Sequence, residues 1–178
     1  MSEGLPLDSR AFTIDAFHRG RFRLVQPAGK GHRAGLDAML LAGAVPAGFA
    51  GELADLGAGA GAAGFAVAAR CPEARVLLVE REPEMIACAQ ESLQLPANSG
   101  LASRIEVLQA DVELCGSDRA KAGLTENAFD FIIMNPPFNP AHDRKSPDRL
   151  RRQAHVMEDG QFERWLRTAA AIARPGAK

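Results

Sequence analysis

The chain has no apolar run approaching the ~20 consecutive residues that a membrane-crossing helix needs. Residues 1–8 hold no basic segment followed by an apolar one, so they do not read as a secretory leader. A cytoplasmic protein without membrane association is the expectation. There are only three cysteines, Cys71, Cys88 and Cys115, and they are scattered. Their spacing fits neither a disulfide framework nor a metal site, so buried thiols in a reducing compartment and no metal are expected. An excess of one charge is also missing: 21 basic against 22 acidic residues leave a net charge of −1. A generally basic nucleic-acid coat is thereby excluded, and any such contact must come from local patches. Internal repeats and low-complexity tracts are absent.

What is present suits one globular unit. The 178 residues are 47% hydrophobic and 24% charged, enough for a sizeable buried core. Residues 17–25 alternate around a glycine, which predicts a short hairpin whose polar positions are His18, Arg19, Arg21 and Arg23. Residues 26–35 read as a loop, with Gly29, Gly31 and Gly35 among the basic Lys30, His32 and Arg33. That loop is either a phosphate-approaching segment or a solvated basic turn. Residues 36–44 predict a helix with Asp37 in its first turn, where an acid complements the helix dipole or faces a cationic ligand group.

From there strands and helices alternate. Strands are expected at 52–56, 75–80, 104–109 and 129–134, and helices at 65–70 and 83–95. Residues 96–100 read as a break and 112–127 as a mixed crossover. Residues 139–157 read as a basic loop carrying Arg144, Lys145, Arg149, Arg151 and Arg152. A last helix is expected from Asp159 as N-cap, with an apolar stripe through Phe162, Trp165, Leu166 and Ile172 that reads as core. Such alternation implies right-handed crossovers and a mostly parallel, doubly wound α/β sheet. Two parts are distinguished: a hairpin-and-helix cap at 1–45 and an α/β core at 46–178.

The chemistry gathers where strands end. Residues 57–64 form a glycine run between a strand and a helix, where glycines admit a ligand close to the backbone and the helix N-terminus offers free N–H groups. Gly59-x-Gly61-x-x-Gly64 is also, literally, the dinucleotide fingerprint. Glu80 ends the second strand, placed to accept hydrogen bonds from ribose hydroxyls. Asp55, just before the glycines, would repel a pyrophosphate and suits a ligand carrying an ammonium and a sulfonium. Asp111 ends the third strand, suited either to an adenine amino group or to capping a turn. The fourth strand runs into Asn135-Pro136-Pro137-Phe138. Two prolines stop the ladder and leave an amide side chain, unpaired carbonyls and an aromatic ring at the carboxyl edge of the sheet.

These residues carry a resemblance. Asp55 to the glycines, Glu80, Asp111 and Asn135-Pro136-Pro137-Phe138, in that order, resemble the class I S-adenosylmethionine-dependent methyltransferases with an Asn-Pro-Pro-Tyr/Phe motif. Residues 20–27 and 32–41 resemble the bacterial valine-tRNA adenine-N6 methyltransferase group. The resemblance implies a Rossmann-like fold with S-adenosyl-L-methionine as cofactor. The implied cofactor contacts are Asp37 near the methionine end, Asp55, Gly57, Ala58, Gly59, Gly61, Glu80, Arg81, Asp111, Val112 and Asn135. It implies methylation of an exocyclic amine held by the Asn135 side-chain oxygen and the Pro136 carbonyl, with Pro137 completing the exit and Phe138 stacking on the base. An RNA partner, a tRNA above others, would be held at its phosphates by Arg21, Arg23, Lys30, His32, Arg33, Arg144, Lys145 and Arg151. The oligomeric state is left open.

Other readings share these residues. The same motif serves guanine N2 of ribosomal RNA, a protein glutamine amide or a small molecule. A nicotinamide-dependent oxidoreductase and a non-catalytic cofactor-binding protein are further alternatives. The resemblance also implies a longer sheet than the roughly four strands read here. The C-terminal strands are missing, so a fragment with an exposed apolar edge at the fourth strand is expected.

Overall fold

The computed structural model describes residues 12–28, 34–136, 139–140, 156–157 and 160–178. Four apolar runs form one parallel sheet: β3 (Gly51–Leu56), β4 (Ala74–Glu80), β5 (Ile105–Gln109) and β6 (Phe131–Met134), in the order β5-β4-β3-β6. Strand β3 lies between β4 and β6, which explains why Leu53, Ala54, Asp55 and Leu56 are all buried. Side-chain alternation divides the core between the two faces. Leu53, Val76, Leu78 and Ile133 pack with Phe65 and Val67 of α2 (Ala62–Arg70). Ala54, Leu56 and Val79 pack on the other face with Trp165 and Ile172 of α6 (Gln161–Ile172). The sheet is thus covered on both sides, as the doubly wound expectation requires.

An antiparallel hairpin, β1 (Phe12–Phe17) and β2 (Phe22–Pro27), stands apart from the sheet but shares its core, with Phe22 and Leu24 fully buried. It is longer than the sequence predicted, because residues 12–16 and Gln26-Pro27 also pair. Gln26 is buried; its amide donates to Asp15 Oδ2 (2.7 Å), and its oxygen accepts the Ala34 N–H (2.8 Å). The turn runs through left-handed residues His18, Arg19 and Gly20.

The outer edge of β2 meets side chains rather than a strand. The Arg23 N–H donates to Asn98 Oδ1 (2.9 Å), Asn98 Nδ2 returns a bond to the Arg23 carbonyl (2.6 Å), and the Val25 N–H donates to Ser92 Oγ (2.8 Å). Asn98 and Ser92 are completely buried. Asn98→Ala leaves the Arg23 backbone groups without these partners and is expected to cost about 1–3 kcal/mol. A fall in the urea midpoint, with the slope unchanged, checks this.

The remaining elements refine the expectations. Helix α1 (Leu36–Gly43) matches closely. Helix α2 begins at Ala62 rather than at 65, because left-handed Gly61 (φ 92°) turns the chain into it. Helix α3 (Pro83–Gln94) carries Pro83 at its start. The expected break at 96–100 holds a 3₁₀ turn (Pro96–Asn98) and the one-turn α4 (Ser99–Ala102). The crossover contains the short α5 (Gly116–Lys121). Two-residue strands β7 (Asn139–Pro140) and β8 (Val156–Met157) pair in parallel outside the main sheet. The cap of α6 is Gly160; Asp159 lies outside the described residues.

The expected bare edge at β6 is corrected. The segment after α6 bonds along it: the Phe129 N–H donates to the Ile172 carbonyl (3.1 Å) and the Arg174 N–H to the Phe129 carbonyl (2.9 Å). Further on, the Ile132 N–H reaches the Lys178 carbonyl (2.9 Å). Arg174 also donates to Asp130 (2.6 Å), and that bond, with the Glu52 N–H, holds the Asp130 carboxyl below its usual range.

Candidate functional site

Above the carboxyl ends of β3, β4 and β6 lies one pocket that gathers most of the motif residues. Asp37, Asp55, Gly57, Ala58, Gly59, Glu80, Arg81, Asp111, Val112, Asn135 and Pro136 all line it. Residues 80 positions apart in the chain meet because parallel strands end on one side of the sheet.

The floor is the glycine loop. The Gly57 and Ala58 N–H groups both donate to the Val79 carbonyl (2.9 and 3.0 Å), which folds the loop back over β4. Packing disfavours a side chain at Gly57, Gly61 and Gly64. A Cβ on Gly57 (φ 71°) would lie 2.4 Å from Trp165, and one on Gly64 would lie 2.3 Å from Leu78. Gly64 is therefore the close-approach glycine between α2 and the sheet, and Gly61 is the turn into the helix.

Glu80 accepts three backbone N–H bonds, from Gly59 (2.9 Å), Arg81 (2.8 Å) and Glu82 (3.0 Å). It fixes the loop to the end of β4 and still borders the pocket. Asp55 is 3% exposed and accepts the Gly64 N–H (2.9 Å). Burial pushes its carboxyl up to about 7, against the lowering effect of the Gly64 bond and with help from the negative charge of Glu80. Asp111 Oδ1 accepts the Glu113 N–H (2.9 Å), so the turn-capping role is present, while its Oδ2 lies 3.8 Å from Arg81.

Arg81 also lies 3.9 Å from Glu113, which takes bonds from Gln161 (2.6 Å) and Arg164 (2.5 Å) of α6. Burial opposes ionisation of Glu113, but these bonds and the Arg164 and Arg81 charges hold its carboxyl below the usual range. The ends of β4 and β5 are thereby tied to α6.

Five carboxyl side chains line the pocket, Asp37, Asp55, Glu80, Glu82 and Asp111, against one guanidinium, Arg81. A pyrophosphate has no place in such a field, whereas a ligand carrying ammonium and sulfonium charges has. The glycine loop and this acidic lining fit S-adenosylmethionine and weigh against the nicotinamide alternative.

The raised Asp55 carboxyl makes folding stability depend on pH. The folded chain keeps a proton that the unfolded chain loses near 3.8, so Asp55 lowers folding stability as pH rises from there to about 7. A cation in the pocket favours the ionised form. Cofactor affinity is therefore expected to rise between pH 6 and 8, and Asp55→Asn to flatten that rise; calorimetric titration at several pH values checks it.

Asn135 is exposed at the exit of β6, and its Nδ2 donates to Asp37 Oδ2 (3.0 Å). Pro137 and Phe138 lie outside the described residues, as do Lys30, His32, Arg33, Arg144, Lys145 and Arg151. Arg21 and Arg23 are exposed on the hairpin. Gly61 turns the chain into α2 beside the pocket but is not among its lining residues. Among the described residues no cluster of metal-ligating side chains occurs, and no helix is long and apolar enough to cross a membrane.

Several pocket residues escaped the sequence reading, among them Glu82, Met85 and two from the last helix. Trp165 and Gln161 of α6 line the pocket, although the α6 stripe was expected to serve the core alone. Trp165 does both, since it is 8% exposed and packs with Leu56 and Val79. The available signal was the need for glycine at 57, which implies a bulky neighbour without saying which.

Known proteins are similar to this chain. A tRNA1(Val) (adenine(37)-N6)-methyltransferase of Porphyromonas gingivalis is 32% identical over 166 residues, covering 90% of this chain and 62% of its own length. The ribosomal RNA small subunit methyltransferase C of Pseudomonas fluorescens is 37% identical over 117 residues, 64% of this chain and 31% of that protein. A crystal structure of Atu636 from Agrobacterium tumefaciens, described as a predicted O-methyltransferase, is 46% identical with a TM-score of 0.64. It covers 79% of this chain and 57% of that one. The chain thus spans about three-fifths of the length of the P. gingivalis relative. The methyltransferase small domain model matches residues 32–157, and the chain belongs to that family of S-adenosylmethionine-dependent methyltransferases.

Proposed function

We propose that the protein transfers a methyl group to an exocyclic amine, adenine N6 of a tRNA. The observation that carries this reading is the placement of Asn135 and Pro136 on the rim of the acidic pocket. When bound, S-adenosylmethionine supplies an electrophilic methyl on a cationic sulfur. The chain's task is then to hold the acceptor.

An aromatic amine is a poor nucleophile because its lone pair is delocalised into the ring. The Asn135 side-chain oxygen and the Pro136 carbonyl each accept one of its N–H hydrogens. Two fixed acceptors favour the more tetrahedral, positively charged nitrogen of the transition state. They also orient the amine, and orientation removes much of the entropic barrier. The product ammonium is acidic enough to lose its proton to water, so no dedicated base is required. An O-methyl acceptor has no second hydrogen for the second carbonyl, which favours an amine.

For the substrate, the P. gingivalis relative's name supports adenine N6 in tRNA. Arg21 and Arg23 on the hairpin, with the basic residues at 30–33 and 144–151, supply phosphate contacts. The target base must be unpaired or flipped to reach the rim. A tRNA substrate places the enzyme in the cytoplasm.

The test is methyl transfer from isotope-labelled S-adenosylmethionine to an unmodified valine-tRNA transcript, followed by nucleoside mass spectrometry. Labelled N6-methyladenosine is expected. Label only in N2-methylguanosine, or in glutamine of added protein, would move the assignment to another amine. Binding of the transcript should weaken steeply with salt; a flat response would remove the phosphate contacts.

A further inference from the structure

We infer that Asp37 is a positioning residue, which sets the orientation of the Asn135 amide and so decides which of its atoms meets the acceptor amine. The inference rests on the reading of Asn135 as the group that holds the amine.

An asparagine amide presents an acceptor on one side and two donors on the other. For an amine acceptor only one orientation is useful: Oδ1 must face the substrate. With Nδ2 turned inward, donor would meet donor. Something has to choose between orientations that differ little in shape.

The choice is made across the pocket. Asp37 Oδ2 lies 3.0 Å from Asn135 Nδ2. A carboxylate offers acceptors only, so the group facing it must be the NH₂, and Oδ1 is left to the opposite side. The two residues are 98 positions apart and belong to the first turn of α1 and the exit of β6. Both line the same pocket with Pro136. A Cβ on Gly35, the N-cap of α1, would lie 3.1 Å from Asp37 Oδ1, so a side chain there would press on the carboxylate.

This differs from the role that the resemblance implies for Asp37, a contact at the methionine end of the cofactor. The two roles need different properties of the residue. A cofactor contact needs the negative charge. Orienting the amide needs an acceptor, and the neutral oxygen of asparagine also supplies one.

The test compares Asp37→Ala, Asp37→Asn, Gly35→Ala and Asn135→Ala. The readouts are saturating methyl transfer to unmodified valine-tRNA transcript, cofactor affinity by calorimetry, and the Asn135 side-chain NH₂ signals in ¹⁵N-labelled protein. Asp37→Ala should lower kcat about tenfold, the scale of one lost charge-assisted hydrogen bond. Cofactor affinity should change alike in Asp37→Ala and Asp37→Asn, since both remove one of the carboxylates lining the pocket, so kcat is compared at saturating cofactor. Asp37→Asn should restore most of the kcat, and Gly35→Ala should fall between. The Asn135 NH₂ pair should shift in Asp37→Ala and recover in Asp37→Asn.

Equal kcat losses in the Ala and Asn variants would overturn the inference, as would an Asn135 NH₂ signal indifferent to Asp37. So would a normal kcat in both Asp37→Ala and Asp37→Asn with a shared loss of cofactor affinity, which would give Asp37 to the cofactor alone. If Asn135→Ala is as active as the wild type, the functional reading itself fails. If Asn135→Ala is inactive and Asp37→Ala is not impaired, only the positioning role fails.

Discussion

Asn135→Ala is expected to lower single-turnover methyl transfer by about 10²–10³-fold, the range found when one preorganised polar group is removed from a developing charge. The side chain sits at the end of β6, where the prolines end the strand, and lines the pocket beside Pro136. Removing it leaves one acceptor, the Pro136 carbonyl, for an amine that presents two N–H groups. The amine then loses both stabilisation and orientation. Cofactor affinity should change by less than about threefold, because the acidic lining and the glycine loop remain. The variant should fold normally, since Asn135 is exposed. Quench-flow methyl transfer and calorimetric titration check the two halves separately. An unaffected rate would remove Asn135 from the mechanism.

Trp165→Ala carries the largest expected effect on stability, about 3–5 kcal/mol. The indole is 8% exposed and fills the space between α6 and the sheet, against Leu56 and Val79. It also abuts Gly57, where a Cβ would lie 2.4 Å from the ring. Its loss leaves a cavity under the loop that binds the cofactor, so weaker cofactor binding should accompany the lower stability. Chemical unfolding followed by circular dichroism, together with cofactor titration, checks this. Trp165→Phe should recover most of the stability, because the cavity is smaller. Destabilisation below about 1 kcal/mol would show that the space collapses and the loop needs no such support.

Local pattern made the sheet legible. Apolar runs ending in Asp55, Glu80, Asp111 and Asn135 could be read as buried parallel strands with functional ends, because strand length, flanking glycines and prolines are written in adjacent residues. What escaped depends on contacts distant in the chain. Residues 12–16 look weak alone and become a strand because residues 22–27 pair with them. Ser92 reads as an ordinary polar residue within a helix and Asn98 as one after it, yet they complete the edge of β2 from about 70 positions away. Trp165 followed a core pattern correctly, but periodicity cannot show that a core side chain also borders a pocket. The tail along β6 escaped for a related reason: its bonds to Phe129 and Ile132 are made by the backbone, which leaves no side-chain signature. Asp37 was singled out for its charge, and its bond to Asn135 gives that charge a partner that no local rule names.

The acidic pocket over β3, β4 and β6 suits a cationic adenosine cofactor rather than a dinucleotide. Trp165, the only tryptophan, lines that pocket and reports on it directly. Titrating the protein in parallel with S-adenosylmethionine and with NAD⁺, followed by Trp165 fluorescence and calorimetry, is the most direct test. Saturable one-to-one binding of S-adenosylmethionine is expected, tighter at pH 8 than at pH 6, with no saturable response to NAD⁺. Saturation by NAD⁺ with none by S-adenosylmethionine would contradict it.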